Sequence, residues 1–262
     1  MHATRIIAIR HGETAWNVDT RIQGQLNIGL NDTGHWQAGR VARALALSGE
    51  TVHAIYASDL QRAWETATAI AKAVGPVPQP VQGLRERGFG IFQGRTFAEI
   101  EATWPEEARR WRQREPHWAP EGGESLAALT QRITDTTAEL ALRHAGEQIV
   151  LVAHGGVMDA LYRAATRQDV QAPRTWNLGN ATINRLLWTP EGLSLVGWSD
   201  ARHLDDDASR DETTTLVTAA SGCGWTETLQ AHFDAGTGVI SPPSHLPHGW
   251  AASPPNAGKR PM

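Results

Sequence analysis

The sequence predicts an α/β domain with a largely parallel β-sheet, and three features support this class. Short runs of β-branched residues alternate with helix-like segments through the first 204 residues, without an internal repeat. Two of these runs, residues 5–10 and Gln148–Ala153, are mostly apolar, as expected of strands that are buried on both faces. Each of the two is followed at once by a histidine and a glycine. Strands that alternate with helices indicate a parallel sheet covered by helices.

The remaining elements follow from capping residues and periodicity. Asp32 begins a helix that runs to Leu47, and Ser58-Asp59 would cap a helix that ends at Val74, before Gly75-Pro76. Between the first strand and the first helix lies a loop rich in Asn, Gln and Gly. Further helices are predicted at 96–114, 124–144 and 155–166, and further strands at 52–57, 182–188 and 193–198.

The net charge of −4 comes entirely from residues 205–262. The whole chain has 24 Lys and Arg against 28 Asp and Glu. Residues 205–262 hold three of the 24 and seven of the 28, which leaves 21 of each sign in residues 1–204. A domain without basic excess is unlike proteins that bind nucleic acid through bulk charge, so we expect no such partner. Only Lys72 and Lys259 are lysines; the arginines suit bidentate contacts with phosphate or carboxylate.

The composition predicts a domain at 1–204 and a tail at 205–262. The tail is acidic, then rich in Pro and Gly, and has too few large apolar residues to offset the entropy lost on folding, so we predict that it is mostly disordered. Trp225, Leu229 and Phe233 could share one face of a short helix there, either fluctuating or docked. With a single cysteine, no secretion-signal pattern and no membrane-length apolar run, we expect a cytoplasmic protein without a membrane partner.

Four short motifs carry the chemistry. Arg10-His11-Gly12-Glu13 ends the first strand, and His154-Gly155-Gly156 follows strand 148–153. The carboxyl ends of parallel strands meet at one edge of a sheet, where ligands bind. The motif Ser58-Asp-Leu-Gln-Arg62 places Arg62 in the first turn of a predicted helix, whose N–H groups favour anions. The fourth motif, which begins Leu84-Arg-Glu86-Arg-Gly, follows it along the chain. Alone, each histidine is more often structural and Arg62 more often a solvated surface residue; the four together, in this order, favour a site.

In these four motifs and their order, residues 4–204 closely resemble the histidine phosphatase superfamily. The resemblance implies the phosphoglycerate-mutase-like fold, a three-layer sandwich whose mixed, mainly parallel sheet is flanked by helices, with a helical lid segment at about 96–122. It also implies a metal-independent phosphomonoester hydrolase that needs no cofactor. Such an enzyme would act on a small phosphorylated metabolite through a phosphohistidine and release inorganic phosphate. The sequence leaves the oligomeric state open, a dimer included.

The resemblance implies a role for each site residue. His11 matches the phosphorylated nucleophile and Glu86 the proton donor, while Arg10, Arg62 and His154 match the phosphate pocket. Further substrate-binding positions are Asn17, Gln23, Thr14 and the backbone N–H of Gly155. The residue types suit the reaction, because two arginines and a protonated His154 would neutralise a phosphate dianion before neutral His11 attacks it. No metal cage is offered, since His245 and His248 of the tail lack an acidic companion.

Two alternatives to hydrolysis remain open. Phe97 stands where related mutases carry a basic residue, and the segment up to Gly122 is shorter, which favours hydrolysis over a phosphoglycerate-mutase-type transfer. A non-catalytic phosphate-binding or scaffold protein is the other alternative.

The lid segment contains four arginines, Arg109, Arg110, Arg112 and Arg114. One or two of them could recognise an anionic leaving group, or all four could pair with neighbouring glutamates on a solvated helix face. Its tryptophans, Trp104, Trp111 and Trp118, are expected to pack rather than close the pocket.

Overall fold

The computed structural model describes residues 2–205, which form one mixed six-stranded sheet. In chain order the strands are β1 (Thr4–Arg10), β2 (Ala54–Ala57), β3 (Pro78–Pro80), β4 (Gln148–Ala153), β5 (Ile183–Thr189) and β6 (Gly192–Asp200). The strand order is β3-β2-β4-β1-β5-β6, with parallel pairing from β3 to β1 and antiparallel pairing of β5 with its two neighbours. The mixed, mainly parallel sheet is therefore confirmed.

The two central strands are apolar because both of their faces are covered. In β1, Ile6 and Ala8 point to one face of the sheet and Ile7 and Ile9 to the other, and all four are buried. Successive side chains of a strand alternate between faces, so only a strand buried on both sides needs a continuous apolar run. The same alternation in β4 makes these adjacent strands the middle layer of three.

Seven α-helices occur within residues 2–205: α1 (Ala15–Val18), α2 (Asp32–Leu47), α3 (Gln61–Val74), α4 (Phe97–Thr103), α5 (Pro105–Arg112), α6 (Leu126–Leu142) and α7 (Gly155–Thr166). Helices α2 and α3 cover one face of the sheet, and α6 and α7 cover the other. Side-chain caps fix several starts: Asn31 accepts the N–H of Gly34, and Ser125 accepts that of Ala128. No helix of this described part has the length and apolar character needed to cross a membrane.

Two predicted elements were wrong in detail, and one strand was not predicted. Residues 96–114 form two helices, because Trp104 precedes Pro105 and a residue before proline is disfavoured in the helical region. Ser58-Asp59 does not cap α3, whose N-cap is Leu60 without a side-chain bond. The short strand β3 was missed, since its two prolines argue against a strand except at an edge. The predictions for 206–262, including the Trp225 helix, lie outside the described residues.

Helices α4 and α5 pack through a cluster of aromatic side chains. Phe92 is fully buried at its centre, with ring centroids 5.9, 5.6 and 6.1 Å from Trp104, Trp111 and Trp118. Phe97 lies 5.5 Å from Trp111 in the same cluster. The tryptophans therefore pack, as predicted, although Trp111 also lines a cavity described below.

Candidate active site

The sheet register brings the two strand-end histidines together. Arg10 of β1 pairs with Ala153 of β4, so His11 and His154 leave neighbouring strands at the same level. Their ring centroids lie 5.2 Å apart, and both residues are almost completely buried. Residues 143 positions apart in sequence thus form one site because their strands are adjacent and parallel.

The ring orientation of His11 is fixed by its own loop. Its Nδ1 lies 2.7 Å from the carbonyl oxygen of Gly12. A carbonyl oxygen can only accept, so Nδ1 must donate its proton there, which leaves a lone pair on Nε2 of the neutral ring. The position of this ring depends on Gly12, because an added Cβ would overlap the Gly34 carbonyl. His11 is therefore held in the tautomer that a nitrogen nucleophile requires.

His154 is oriented from the neighbouring strand. Its Nε2 lies 2.8 Å from the hydroxyl oxygen of Ser58, just beyond β2. Ser58 Oγ also accepts the backbone N–H of Leu60 at 3.3 Å. With one nitrogen bonded to Ser58, the other ring nitrogen of His154 is left for a ligand.

Buried polar atoms without partners identify where that ligand would lie. Arg10 Nε, Arg62 Nε and His154 Nδ1 are buried and have no hydrogen-bond partner among the described residues. Unpaired buried donors are rare in folded proteins, and an anion with several acceptor oxygens would satisfy them. Both terminal nitrogens of Arg62 are fixed, since they donate to Gly24 O at 2.7 Å and Leu26 O at 2.9 Å, and Nη1 of Arg10 donates to Leu178 O.

The pocket has an excess of positive charge. Burial, with a smaller contribution from Arg10, lowers the pKa of Arg62 to about 10, and burial lowers that of Arg10 as well. Burial and then Arg62 hold the pKa values of both His11 and His154 well below the usual histidine value. Burial and the neighbouring cations therefore disfavour the protonated form of His154 that the sequence predicts. A phosphate dianion would supply the missing negative charge.

Glu86 lies next to the same pocket, at the start of α7. Its carboxylate accepts the backbone N–H of Gly156 at 3.0 Å and that of Arg87 at 2.8 Å. A Cβ on Gly155 would lie 3.6 Å from Arg10 Nε and 3.9 Å from Glu86 Oε2, so the phosphate-facing arginine and this carboxylate both lie close to the start of α7. Glu86 is therefore placed beside the anion site rather than within it.

Of the other predicted substrate-binding side chains, Asn17 and Thr14 bond to each other, whereas Gln23 has an unpaired oxygen. Asn17 Oδ1 accepts bonds from the backbone N–H and hydroxyl of Thr14, at 3.0 and 3.1 Å, which leaves its NH₂ group to donate. Asn180 links Asn17 to His11, since its Nδ2 lies 3.3 Å from Asn17 Oδ1 and 2.9 Å from the His11 carbonyl oxygen. Gln23 is buried next to the Gly24 carbonyl that binds Arg62, and its Oε1 has no partner within residues 2–205.

Four supporting residues escaped the sequence reasoning. Thr66 accepts the Gly12 N–H at 3.1 Å, and Ser58 and Asn180 act as described above. Arg132 of α6 donates to the carbonyl oxygens of Gly83 and Arg85 at 2.8 and 2.9 Å and so holds the loop that carries Glu86. Ser58 begins the Ser58-Asp-Leu-Gln-Arg62 motif but was interpreted only as a helix cap, and Asn180 lies just before a predicted strand; Thr66 and Arg132 belong to no local motif.

A cavity of about 580 Å³ adjoins the anion site. Arg10, Gly155 and Gly156 belong to its wall as well as to the pocket, and Trp111 and Arg114 line it from the α4–α5 side. Of the four lid arginines only Arg114 lines this cavity. The others pair on the surface: Arg109 with Glu106, Arg110 with Glu115, and Arg112 with Glu101.

No group of three or more metal-ligating side chains of the kind that holds a metal ion occurs in the described range. The buried polar atoms of the pocket are mainly nitrogen donors, which suit an anion and not a cation.

The chain belongs to the histidine phosphatase superfamily (branch 1), whose family model matches residues 6–201. It is 37% identical to phosphoglycerate mutase-like protein 4 of Arabidopsis thaliana, over 77% of this chain and 87% of the relative. It is also 37% identical to a metal-independent phosphoserine phosphatase of the same plant, over 77% and 83%.

The fold is likewise similar to solved structures of the family. A mycobacterial glucosyl-3-phosphoglycerate phosphatase in complex with VO3 superimposes with a TM-score of 0.67 and 35% identity, over 75% of this chain and 99% of that one. The family and its phosphatase members support metal-independent hydrolysis of a phosphomonoester through a phosphohistidine as the activity of this chain.

Proposed function

We propose that this protein hydrolyses small phosphomonoesters in the cytoplasm, with His11 as the nucleophile. The observation that carries the proposal is the hydrogen bond from His11 Nδ1 to Gly12 O. It leaves the Nε2 lone pair of His11 available in the pocket that also contains the unpaired nitrogens of Arg10, Arg62 and His154. Arg10, Arg62 and His154 bind the phosphoryl oxygens, and Asn17 adds a side-chain N–H. The positive charges of Arg10 and Arg62 offset the charge of the dianion that otherwise repels a nucleophile.

The reaction has two steps. In the first, His11 Nε2 forms a bond to phosphorus while the ester P–O bond breaks, and the leaving alkoxide takes a proton from the Glu86 carboxyl group. In the second, ionised Glu86 removes a proton from water, the water oxygen attacks phosphorus, and the P–N bond breaks. Inorganic phosphate leaves, and both side chains return to their starting states.

Rapid mixing with [³²P]-labelled aryl phosphate, followed by quenching in alkaline denaturant, tests this function. We expect label on the protein, stable to alkali and labile to acid, together with release of phosphate. His11→Ala should lose the label, whereas His35→Ala, at an exposed position on α2, should keep it. A wild-type protein that neither labels nor releases phosphate would overturn the proposal in favour of a binding or scaffold role.

Phosphoryl transfer between positions of a phosphoglycerate is the second candidate. Phe97 argues against it, since this side chain packs on Trp111 and lies under the Arg112 guanidinium, 5.1 Å from its ring centroid. Phe97 itself offers no positive charge to a second phosphate, and the Arg112 charge beside it is paired with Glu101 at 2.6 Å. A mutase would move phosphate between carbons of phosphoglycerate and release little of it, which product analysis distinguishes.

A further inference from the structure

Ala181 contacts the backbone that carries the nucleophile, and its own backbone conformation is unusual. It is completely buried and has a φ of +54°, in the left-handed region that a residue with a Cβ rarely adopts. Its N–H donates to the Arg10 carbonyl at 3.0 Å and lies 3.3 Å from the His11 carbonyl oxygen. A left-handed alanine costs free energy and persists only where surrounding contacts hold it. The backbone at His11 therefore depends on a residue that itself needs support.

The carbonyl group of Ala181 receives that support from a histidine near the end of the described chain. Nε2 of His203 lies 2.8 Å from this carbonyl oxygen. A carbonyl oxygen can only accept, so Nε2 carries a proton and donates it. Both backbone polar groups of Ala181 are thus bonded, one to the strand end that carries the nucleophile and the other to His203.

The ring of His203 is itself positioned by a short helix. Residues Arg202–Leu204 form a single 3₁₀ turn that follows β6. The carbonyl of His203 accepts a bond from Nε of Arg40, on α2, at 2.6 Å. Leu204 packs against the core cluster that contains Ala181. His203 is therefore tied to α2 and to the core on the side of the sheet that Ala181 occupies.

The bond from His203 does not depend on the protonation state of the ring. The charged groups around the ring are Asp200, Asp205 and Arg40. Burial lowers the pKa of His203 below the usual histidine value, although the bond to Ala181 and the charge of Asp200 act in the opposite direction. The neutral tautomer bonded here and the imidazolium both carry a proton on Nε2, so either form donates. His203 does not line the cavity beside the anion site, so any contribution to the reaction is indirect.

We propose that His203 is a positioning residue for the reaction: it holds Ala181 in its left-handed conformation and thereby aligns His11 for attack on phosphorus. This rests on the proposed function, in which His11 is the nucleophile. Asn180, the neighbour of Ala181, donates to the His11 carbonyl at 2.9 Å, so a change in the Ala181 backbone would disturb both of these bonds. A displacement of about 1 Å can slow a reaction between bound groups by ~10²-fold. Phosphate binding through Arg62 should be affected much less.

Single-turnover labelling measures this contribution, with enzyme in excess over labelled aryl phosphate and an alkaline quench. His203→Met should lower the rate constant for phosphohistidine formation by about 10- to 100-fold. The Kd for inorganic phosphate, measured by calorimetry, should change little. His203→Gln should restore most of the rate constant, because its side-chain N–H can donate to the Ala181 carbonyl. His35→Met, the same change at an exposed position, is the matched control.

A double variant tests whether the effect passes through Ala181. Glycine adopts the left-handed conformation about as readily as the right-handed one, so Ala181→Gly should need less support from His203. The loss of rate caused by His203→Met should therefore be smaller in the Ala181→Gly background than in the wild type. Equal losses in the two backgrounds would overturn the inference.

The rate constant also separates positioning from a purely structural role. A structural role would lower the free energy of unfolding in urea and the fraction of protein that is labelled, but not the rate constant. An unchanged rate constant in His203→Met, or a His203→Gln variant that is equally slow, would overturn this inference alone. If His203→Met does not fold, His203→Asn, whose amide is one bond shorter than that of glutamine, replaces it in each comparison. A wild-type protein that forms no phosphohistidine would instead overturn the proposed function, and this inference with it.

Discussion

Both carboxylate oxygens of Glu86 accept a hydrogen bond from the backbone N–H of Gly156, at 3.1 and 3.0 Å. The first turn of α7 thereby holds the side chain of Glu86, the proposed proton donor. This helix begins directly after His154. Because Gly156 has no side chain, the carboxylate can lie against the helix; an added Cβ would overlap Glu86 Oε1. The proton donor and the phosphate pocket are thus positioned by the same helix start.

Gly156→Ala should displace Glu86 and reduce kcat by about 10²-fold, at the lower end of what general acid–base catalysis contributes. Binding of inorganic phosphate, measured by calorimetry, should change little, because Arg62 and His154 are untouched. Gly39→Ala on α2 is the control, since a Cβ there meets nothing within 4 Å. An unchanged kcat in Gly156→Ala would show that this contact does not position the donor.

Arg132→Met should impair poor leaving groups more than good ones. Arg132 holds the Gly83 and Arg85 carbonyls and pairs with Glu124 at 2.7 Å, so its loss frees the loop of Glu86. Alkyl phosphates need the proton donor more than aryl phosphates do, because their alkoxides are stronger bases. We expect kcat to fall about tenfold more for an alkyl phosphate. An equal loss for both esters would indicate a purely structural role; Arg143→Met, at an exposed pair with Glu139, is the control.

Asn180→Ala should reduce both stability and turnover. Its side-chain amide donates to the His11 carbonyl at 2.9 Å and lies 3.3 Å from the Gly12 carbonyl oxygen, so its removal leaves the His11 carbonyl with only the longer bond from the Ala181 N–H, at 3.3 Å. We expect a loss of about 1–3 kcal/mol in the free energy of unfolding. Asn180→Asp should be worse, because its carboxylate cannot donate to a carbonyl. Urea unfolding and kcat measure the two effects; an Asp variant as stable as wild type would contradict this account.

The buried histidines should make stability fall with pH below neutrality. Burial, then Arg62, keeps the pKa values of His11 and His154 well below the usual value, whereas in the unfolded chain both take up protons below about pH 6.5. The unfolded state then binds more protons, so the free energy of unfolding decreases from pH 7 to 5, by up to about 1.4 kcal/mol per pH unit for each histidine.

Urea unfolding at pH 7, 6 and 5 measures this slope. His11→Asn and His154→Asn should each flatten it, whereas His35→Asn, at an exposed position, should leave it unchanged. Slopes equal to that of wild type in both variants would show that neither histidine is held neutral in the folded protein.

The sequence predicted those parts of the fold that depend on local chemistry. Gln148–Ala153 and Gly155–Thr166 match the structure residue for residue, because an apolar run and a glycine pair delimit them. The start of α3 was misplaced because Ser58 and Asp59 have good capping side chains that are used elsewhere. Ser58 bonds His154, and Asp59 pairs with Arg85 at 2.5 Å. The neighbouring sequence does not show whether a Ser or Asp side chain caps a helix or bonds to a residue that is distant in the chain.

The same limit applies to the site. Arg10, His11 and His154 were predictable because strand ends and the family motifs place them. Asn180 and Arg132 were not, since each acts through backbone carbonyls that only the folded chain brings within reach. The lowered pKa of His154 could not be predicted either, because it depends on how completely the fold buries the ring and on the cations that it places nearby.

The strand order has a consequence for synthesis of the chain. His11 follows β1, which is synthesised before the other five strands of this sheet. Strand β4, which lies between β1 and β2 and leads into His154, begins only after 137 further residues. The pairs β1–β4 and β2–β4 therefore cannot form before most of the domain has been made. A chain that ends before β4 therefore contains His11 but lacks His154, the Gly156 amide and the strand that joins β1 to β2. Binding of phosphate would thus indicate that β4 has taken its place in the sheet.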